Sequence, residues 1–229
     1  MGLIQKNAKY NWNLAFKNGS DKKFPSLELV RLESIFLKEE KNSKLLEYGF
    51  GSGCNTIFLL EKGYKVVGVD ISNYAKIHTQ KKIKKKNKKL LKNLSFKILN
   101  DKSTKLPFKE NSFDFIIALS VLSLLGSETK VNHLLSEFRR ILKSNGKIIL
   151  DINDQNSEFS KGLKKVSKNI FLNIPKDKKL KSFKSYCLPN LKEFSKLVSN
   201  YFKIKDSGYS SFKIFKRRIN EWIISAVKE

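Results

Sequence analysis

The chain has 229 residues, a formal net charge of +26 and 40% hydrophobic residues. That length predicts a single domain with enough apolar side chains, 17 Phe among them, to fill a core. Eleven Gly and four Pro exclude collagen-like and low-complexity chains. Cys54 and Cys187 form neither a zinc-ligand spacing nor a disulfide framework, so no metal site is expected and both thiols should be reduced. The charge suggests a nucleic-acid partner, but its makeup argues against one. Lysines number 42 against 5 Arg, with 20 Asn, 20 Ile and only 5 Ala, a balance that an A- and T-rich coding bias produces by itself. Nucleic-acid sites favour Arg for bidentate and stacked contacts.

No apolar run reaches the roughly 18 residues of a membrane span. The N-terminus MGLIQKNAKYNWNLAF lacks the apolar core of a signal peptide, so the expected compartment is the cytoplasm and no membrane partner is expected. Residues 1–43 hold one amphipathic helix, Ser26 to about Glu39. Lys44–Gly49 is a short apolar strand, Cys54–Lys62 a helix stopped by Gly63, and Tyr64–Asp70 a β-branched buried strand. A lysine-rich helix follows from Asn73 to about Lys92, then strands at Leu94–Asn100 and Phe113–Ser120. Lys130–Leu142 is an amphipathic helix, Asn145-Gly146 a turn and Lys147–Ile152 a strand. This alternation predicts an open, mostly parallel sheet with helices on both faces. Residues 153–190 read as a variable insertion over one edge of the sheet. A short helix, Leu191–Asn200, precedes two final strands, Tyr201–Tyr209 and Glu221–Lys228, joined by a basic segment.

The most informative stretch is Glu47-Tyr48-Gly49-Phe50-Gly51-Ser52-Gly53, which leaves a strand and opens a helix. Glycines there allow a sharp turn and close approach of a ligand to the backbone. The helix behind offers free N–H groups. A dinucleotide fingerprint requires Gly or Ala where Cys54 stands, so that reading fails. The carboxylate of Glu47 would repel a pyrophosphate and suits a cofactor carrying a positive amino group. Asp70 ends the next strand, 17 residues after Gly53, where a carboxylate can accept both ribose hydroxyls; Ile71 can cover one face of an adenine.

LLEYGFGSGCNTIFLLEKGYKVVGVDIS resembles the first two motifs of the class I S-adenosylmethionine-dependent methyltransferases. DKSTKLPFKENSFDFIIALSVL resembles their third and fourth motifs, and FRRILKSNGKIILDI their fifth strand with the helix before it. The resemblance covers residues 40–152 well, extends loosely to the end of the chain, and is nearest to the type-11 methyltransferase domain group. It implies a Rossmann-like, doubly wound, seven-stranded and mostly parallel sheet with an antiparallel C-terminal strand in a three-layer α/β/α sandwich. Residues 44–229 would form that domain, and residues 1–43 an N-terminal helical segment able to act as a lid over the cofactor pocket.

The same resemblance implies S-adenosylmethionine as cofactor. Glu47 would lie by the methionine amino end, and Gly49, Phe50, Gly51 and Gly53 would wrap the methionine and ribose. Asp70 would bind the ribose hydroxyls, Ile71 would pack on the adenine, and Asp101 would sit near the adenine amino group. Ser120 and Val121 would face the methionine and the transferred methyl. The implied activity is methyl transfer to a small-molecule or carbohydrate-type acceptor. The alternatives are an RNA methyltransferase using the basic C-terminal region and a non-catalytic cofactor-binding module. No catalytic base is assigned. His78 and His133 are expected on helix surfaces, Arg31 is a candidate for an anion, and Tyr10, Trp12 and Phe16 form an aromatic cluster able to lie over the pocket. ALSVLSLL lacks the Asn/Asp-Pro-Pro-aromatic sequence of base amino-methylating enzymes. If the acceptor is anionic, the basic segment 212–218 is the expected contact.

Overall fold

A computed structural model of the protein describes residues 2–38, 42–100, 103–215 and 217–229. In chain order the elements are α1 (Lys6–Lys17), α2 (Leu27–Leu32), β1 (Lys44–Tyr48), α3 (Cys54–Glu61), β2 (Lys65–Asp70), α4 (Asn73–Asn87), β3 (Leu94–Ile98) and β4 (Phe113–Ala118). They continue with α5 (Glu128–Ile141), β5 (Leu142–Asn153), β6 (Lys164–Ser167), β7 (Ile170–Asn173), β8 (Phe183–Tyr186), α6 (Leu191–Ser199), β9 (Lys203–Ile214) and β10 (Arg217–Val227). Seven strands form one sheet in the order β3-β2-β1-β4-β5-β10-β9. β1 to β5 are parallel, and β10 runs antiparallel to both β5 and β9. This is the expected Rossmann-like sheet with one reversed C-terminal strand.

Core residues sit on both faces of the sheet, as near-continuous apolar strands require. On one face Leu46, Ile116, Ile148 and Leu150 pack with Val131, Leu134, Leu135 and Phe138 of α5 and Phe194 of α6. On the other, Leu45, Val66, Phe115 and Ile149 pack with Leu29 of α2 and Ile57, Leu59 and Leu60 of α3. α2 starts where the Ser26 side chain accepts the Leu29 N–H, and it continues as a widened turn, Glu33–Leu37, ending at left-handed Lys38. The expected helix end near Glu39 falls outside the described residues.

Five expectations need correction. Asn145-Gly146 lies within β5, which already starts at Leu142, and left-handed Asn145 only kinks the strand. Lys6–Lys17 is a helix, although its three Asn are poor helix formers; Ala8, Trp12 and Phe16 recur at fourfold spacing and hold one side of it. α4 stops at Asn87, whose side chain accepts the Lys89 N–H at 3.0 Å and diverts the chain into a 3₁₀ turn. Residues 164–186 of the insertion form a separate three-stranded antiparallel sheet, β6-β7-β8, with left-handed Asn169 in the first turn. The basic segment joining the last two strands is itself mostly strand, so β9 and β10 form a long hairpin.

Candidate active site

The glycine loop sits at the C-terminal end of β1. The Gly49 N–H donates to the Val69 carbonyl at 2.7 Å, which turns the chain over the end of β2. Gly49 and Gly53 have φ of 84° and 80°, which side chains rarely adopt. Space excludes side chains as well: a Cβ on Gly53 would lie 2.4 Å from Thr79 Cγ2, and one on Gly49 would lie 3.1 Å from Val121 Cγ2. The loop is thus wedged between α4 and the segment after β4.

Two carboxylates underlie it. Glu47 is buried and accepts a hydrogen bond from Thr56 Oγ1 at 2.5 Å. Burial pushes its carboxyl up to about 7, the Thr56 hydroxyl opposing and the charge of Asp70 adding to the rise. Asp70 accepts the Gly51 N–H through Oδ2 at 2.9 Å and the Ile71 and Ser72 N–H groups through Oδ1 at 2.7 and 2.9 Å. Burial raises its carboxyl above the usual range, and the three backbone donors restrain that rise. Asp70 therefore ties the glycine loop to the end of β2.

Above the loop lies a predominantly apolar cavity of about 210 Å³. Of the residues singled out from the sequence, Gly49, Phe50, Gly51, Asp70, Ile71, Ser120 and Val121 line it. Glu47 and Gly53 stand behind the wall, and Asp101 lies outside the described residues. Leu99, at the end of the third strand, adds an apolar contact to the cavity. Backbone donors at a turn, a carboxylate at the next strand end and an apolar slot suit a nucleoside joined to an amino acid.

The N-terminal region lines one side of this cavity. Trp12 and Phe16 of α1 line it, their rings stacked with centroids 5.8 Å apart. Tyr10 instead points outward, with Lys181 Nζ 4.4 Å from its ring centroid. Residues 20–26 strap over the glycine loop. The Lys22 N–H donates to Ser52 Oγ at 3.1 Å, the Ser26 N–H to Asn55 Oδ1 at 2.9 Å and Cys54 Sγ to the Lys22 carbonyl at 2.8 Å. Lys82, expected on a solvated face of α4, pairs with Asp21 and donates to the Lys22 and Ser52 carbonyls. At the other end of α1, Gln5 exchanges hydrogen bonds with the backbone of Lys184 in β8. The insertion therefore supports α1.

Beside the cavity the structure adds a feature absent from the sequence reading. Ser120 has φ 56°, and its N–H donates to both Asp151 carboxylate oxygens at 2.7 and 2.9 Å. Its hydroxyl donates to Glu221 Oε1 at 3.3 Å. Asp151 on β5 and Glu221 on β10 are both buried, and their diagonal register sets them on one face of the sheet. Burial, and then the charge of Glu28, push the Glu221 carboxyl up to about 7, against the Ser120 hydroxyl and the charge of Lys22. Burial and the charge of Glu221 drive Asp151 well above its usual range. The two raised carboxyls meet at Ser120, Asp151 on its backbone N–H and Glu221 on its hydroxyl. The available signal was Asp151, the one acidic residue of KIILDI, near the end of its strand as Asp70 is at the end of YKVVGVD. His78, His133 and Arg31 do not line the cavity.

A parallel sheet with one reversed strand, and a glycine loop opening on a cavity at the strand C-termini, define a Rossmann-like cofactor-binding protein. Residues 46–150 match the model of a methyltransferase domain. The uncharacterised protein MJ0638 of Methanocaldococcus jannaschii is 30% identical over 214 residues, covering 86% of this chain and 84% of that protein. An S-adenosylmethionine-dependent methyltransferase from Methanosarcina mazei superposes with a TM-score of 0.69 at 21% identity, over 82% of this chain and 93% of the other. The 1,6-didemethyltoxoflavin-N1-methyltransferase of Burkholderia thailandensis, solved with its acceptor and S-adenosylhomocysteine, superposes with a TM-score of 0.66 at 14% identity, over 96% and 86%. The matched domain places the chain among the class I S-adenosylmethionine-dependent methyltransferases, so it is a methyltransferase and its cofactor is S-adenosylmethionine; the two solved structures share its fold. Among the described residues no helix is long and apolar enough to cross a membrane.

Proposed function

We propose that the protein methylates a small molecule with a proton to lose, an N–H or O–H acceptor, held in the cavity between the glycine loop and Ser120. The observation that carries this is the shape of the site: α1 and residues 20–26 pack along one side of a concave, mostly apolar cavity beside Ser120, which suits a compact ligand better than a polymer. An apolar wall suits a compact, partly apolar acceptor better than a sugar. The Burkholderia neighbour, whose acceptor is a small heterocycle, supports the same class.

In this reading Gly49, Phe50, Gly51 and Gly53 hold the methionine portion, with Glu47 behind its amino end. Asp70 takes the ribose hydroxyls. Each carboxylate oxygen has two lone pairs, and Gly51 alone among the described donors engages Oδ2, so one remains for a hydroxyl. Ile71 and Leu99 cover the adenine. When bound, S-adenosylmethionine supplies a methyl group activated by a positively charged sulfur. The chain's part is to align the acceptor, exclude water and remove its proton. Ser120 Oγ accepts that proton as its own passes to Glu221, and Asp151 holds the Ser120 backbone in its left-handed conformation.

About 210 Å³ lies below the roughly 300 Å³ at which small-molecule pockets begin. Cofactor and acceptor together would need more room than this, and residues 2–26, which line one side of the cavity, are the segment whose movement would supply it. The experiment is transfer of labelled methyl from S-adenosylmethionine into a cell extract separated into metabolites, protein and RNA. Label in the metabolite fraction, lost in Ser120→Ala, is expected. Label in RNA would favour the alternative acceptor, and cofactor binding without transfer to any fraction would favour a binding module.

A further inference from the structure

The cavity mouth lies at the C-terminal ends of the parallel strands, and a second structure projects from the same end. The last residue of β5, Asn153, pairs with Glu221, yet β10 continues back to Arg217 and β9 on to Ile214. The hairpin tip thus extends past the end of β5, backed on one side by the following segment, whose Asp154 and Glu158 N–H groups donate to the Asn220 and Arg218 carbonyls. Phe212 is cross-strand from Ile219 on one of its faces, and Lys213 is cross-strand from Arg218 on the other. Two cations placed directly opposite each other repel, a cost that an external anion removes. At the apex Phe215 is 93% exposed with φ 53°, a position that turns of this kind give to Asn or Gly. Neither folding nor solubility gains from a bulky aromatic there. Nearby, the hydroxyl of Ser210 donates to Glu28 at 2.6 Å, which brings the segment holding Phe24 and Leu27 against the hairpin. Phe24 is 80% and Leu27 56% exposed, beside Lys22 and Lys23.

We propose that this hairpin tip and the Phe24 segment dock the protein on an anionic lipid surface, with the cavity mouth turned toward the membrane. Projecting apolar side chains flanked by cations match a bilayer interface, where rings enter the headgroup layer and Lys or Arg meets lipid phosphate. Lipid attraction counts charges and does not require Arg, which suits a chain whose cations are mostly Lys. A single-stranded nucleic acid would take the same cations but needs ring faces laid along a groove. Here the apolar groups stand on two separate segments, and Leu27 offers no ring. The sequence expectation of no membrane partner rested on the lack of a spanning segment, and surface docking needs none.

The test is flotation of the full chain with vesicles of phosphatidylcholine alone or mixed with phosphatidylglycerol. A single-stranded RNA oligonucleotide and size-exclusion chromatography run in parallel, and circular dichroism with thermal unfolding serves as the folding control. Binding to the mixed vesicles is expected to weaken roughly thirtyfold in Lys213→Gln/Arg218→Gln, about fivefold per cation. A loss of at least about tenfold is expected in Phe24→Ser/Phe215→Ser. Lys84→Gln/Lys85→Gln, on the exposed face of α4 toward the opposite edge of the sheet, should bind like the wild type. Absence from the mixed vesicles, or equal weakening in all three variants, overturns the proposal. So does RNA binding that responds to the hairpin variants while vesicle binding does not, or self-association that Phe24→Ser/Phe215→Ser abolishes. None of these readouts depends on the methyl acceptor.

Discussion

Glu221→Gln should stabilise the protein while stopping the reaction. Glutamine keeps the shape and still accepts the Ser120 hydroxyl, but carries no charge and takes no proton. The Glu221 carboxyl rises from the ordinary 4.5 to about 7 on folding, so the folded protein binds its proton more tightly than the unfolded chain. Stability from this group is therefore full below about pH 4.5, falls as pH rises and is lost above about pH 7. The difference of roughly 2.5 pKa units corresponds to about 3 kcal/mol, carried by a side chain that is 6% exposed. Wild type and variant should thus be nearly equal at pH 4.5. At pH 8.5 the variant should be more stable by about 2–3 kcal/mol, or roughly 5–10 °C in Tm for a domain of this size. Urea and thermal unfolding at the two pH values measure it, and Glu47, raised similarly, cancels in the difference. Methyl transfer should fall by about 10²–10⁴ with cofactor affinity unchanged. Equal stability at both pH values would refute the strained carboxyl pair, and full activity would refute the proton route.

Asp70→Ala should cost about 2–4 kcal/mol, because it strands one buried and two part-buried N–H donors, and should weaken S-adenosylhomocysteine binding by calorimetry at least about thirtyfold. Unchanged affinity would remove Asp70 from the site. Gly53→Ala should lose at least about 2 kcal/mol, since it combines a left-handed φ with a collision against Thr79, and chemical denaturation reads it directly. Hydrogen exchange in α1 and residues 20–26 should slow by about tenfold or more with S-adenosylhomocysteine bound, while the α5 core is unaffected; identical exchange would mean that the N-terminal segment is no lid.

The cofactor side of this site was legible in the sequence because it is local. Gly49, Gly51 and Gly53 announce themselves, since left-handed backbone next to Thr79 and Val121 leaves no other residue type comfortable. Asp70 follows from where a β-branched strand stops. The other side is assembled from remote pieces. Asp151 and Glu221 are 70 positions apart, and only the antiparallel register of β5 with β10 makes them neighbours. α1 was hidden because one side of it faces a cavity instead of the core, so Trp12 and Phe16 look like scattered aromatics among Asn. β6, β7 and β8 are four residues each, too short for alternation to stand out, yet β8 anchors Gln5 and with it α1. Strand periodicity therefore yields the half of the pocket proposed to hold the shared cofactor. The half that would choose an acceptor depends on which distant segments pair, so substitutions in β8 or at Gln5 should alter acceptor preference through α1 without touching the glycine loop. An acceptor-specific change in KM for Gln5→Ala, with cofactor affinity intact, is the measurement that separates those two halves.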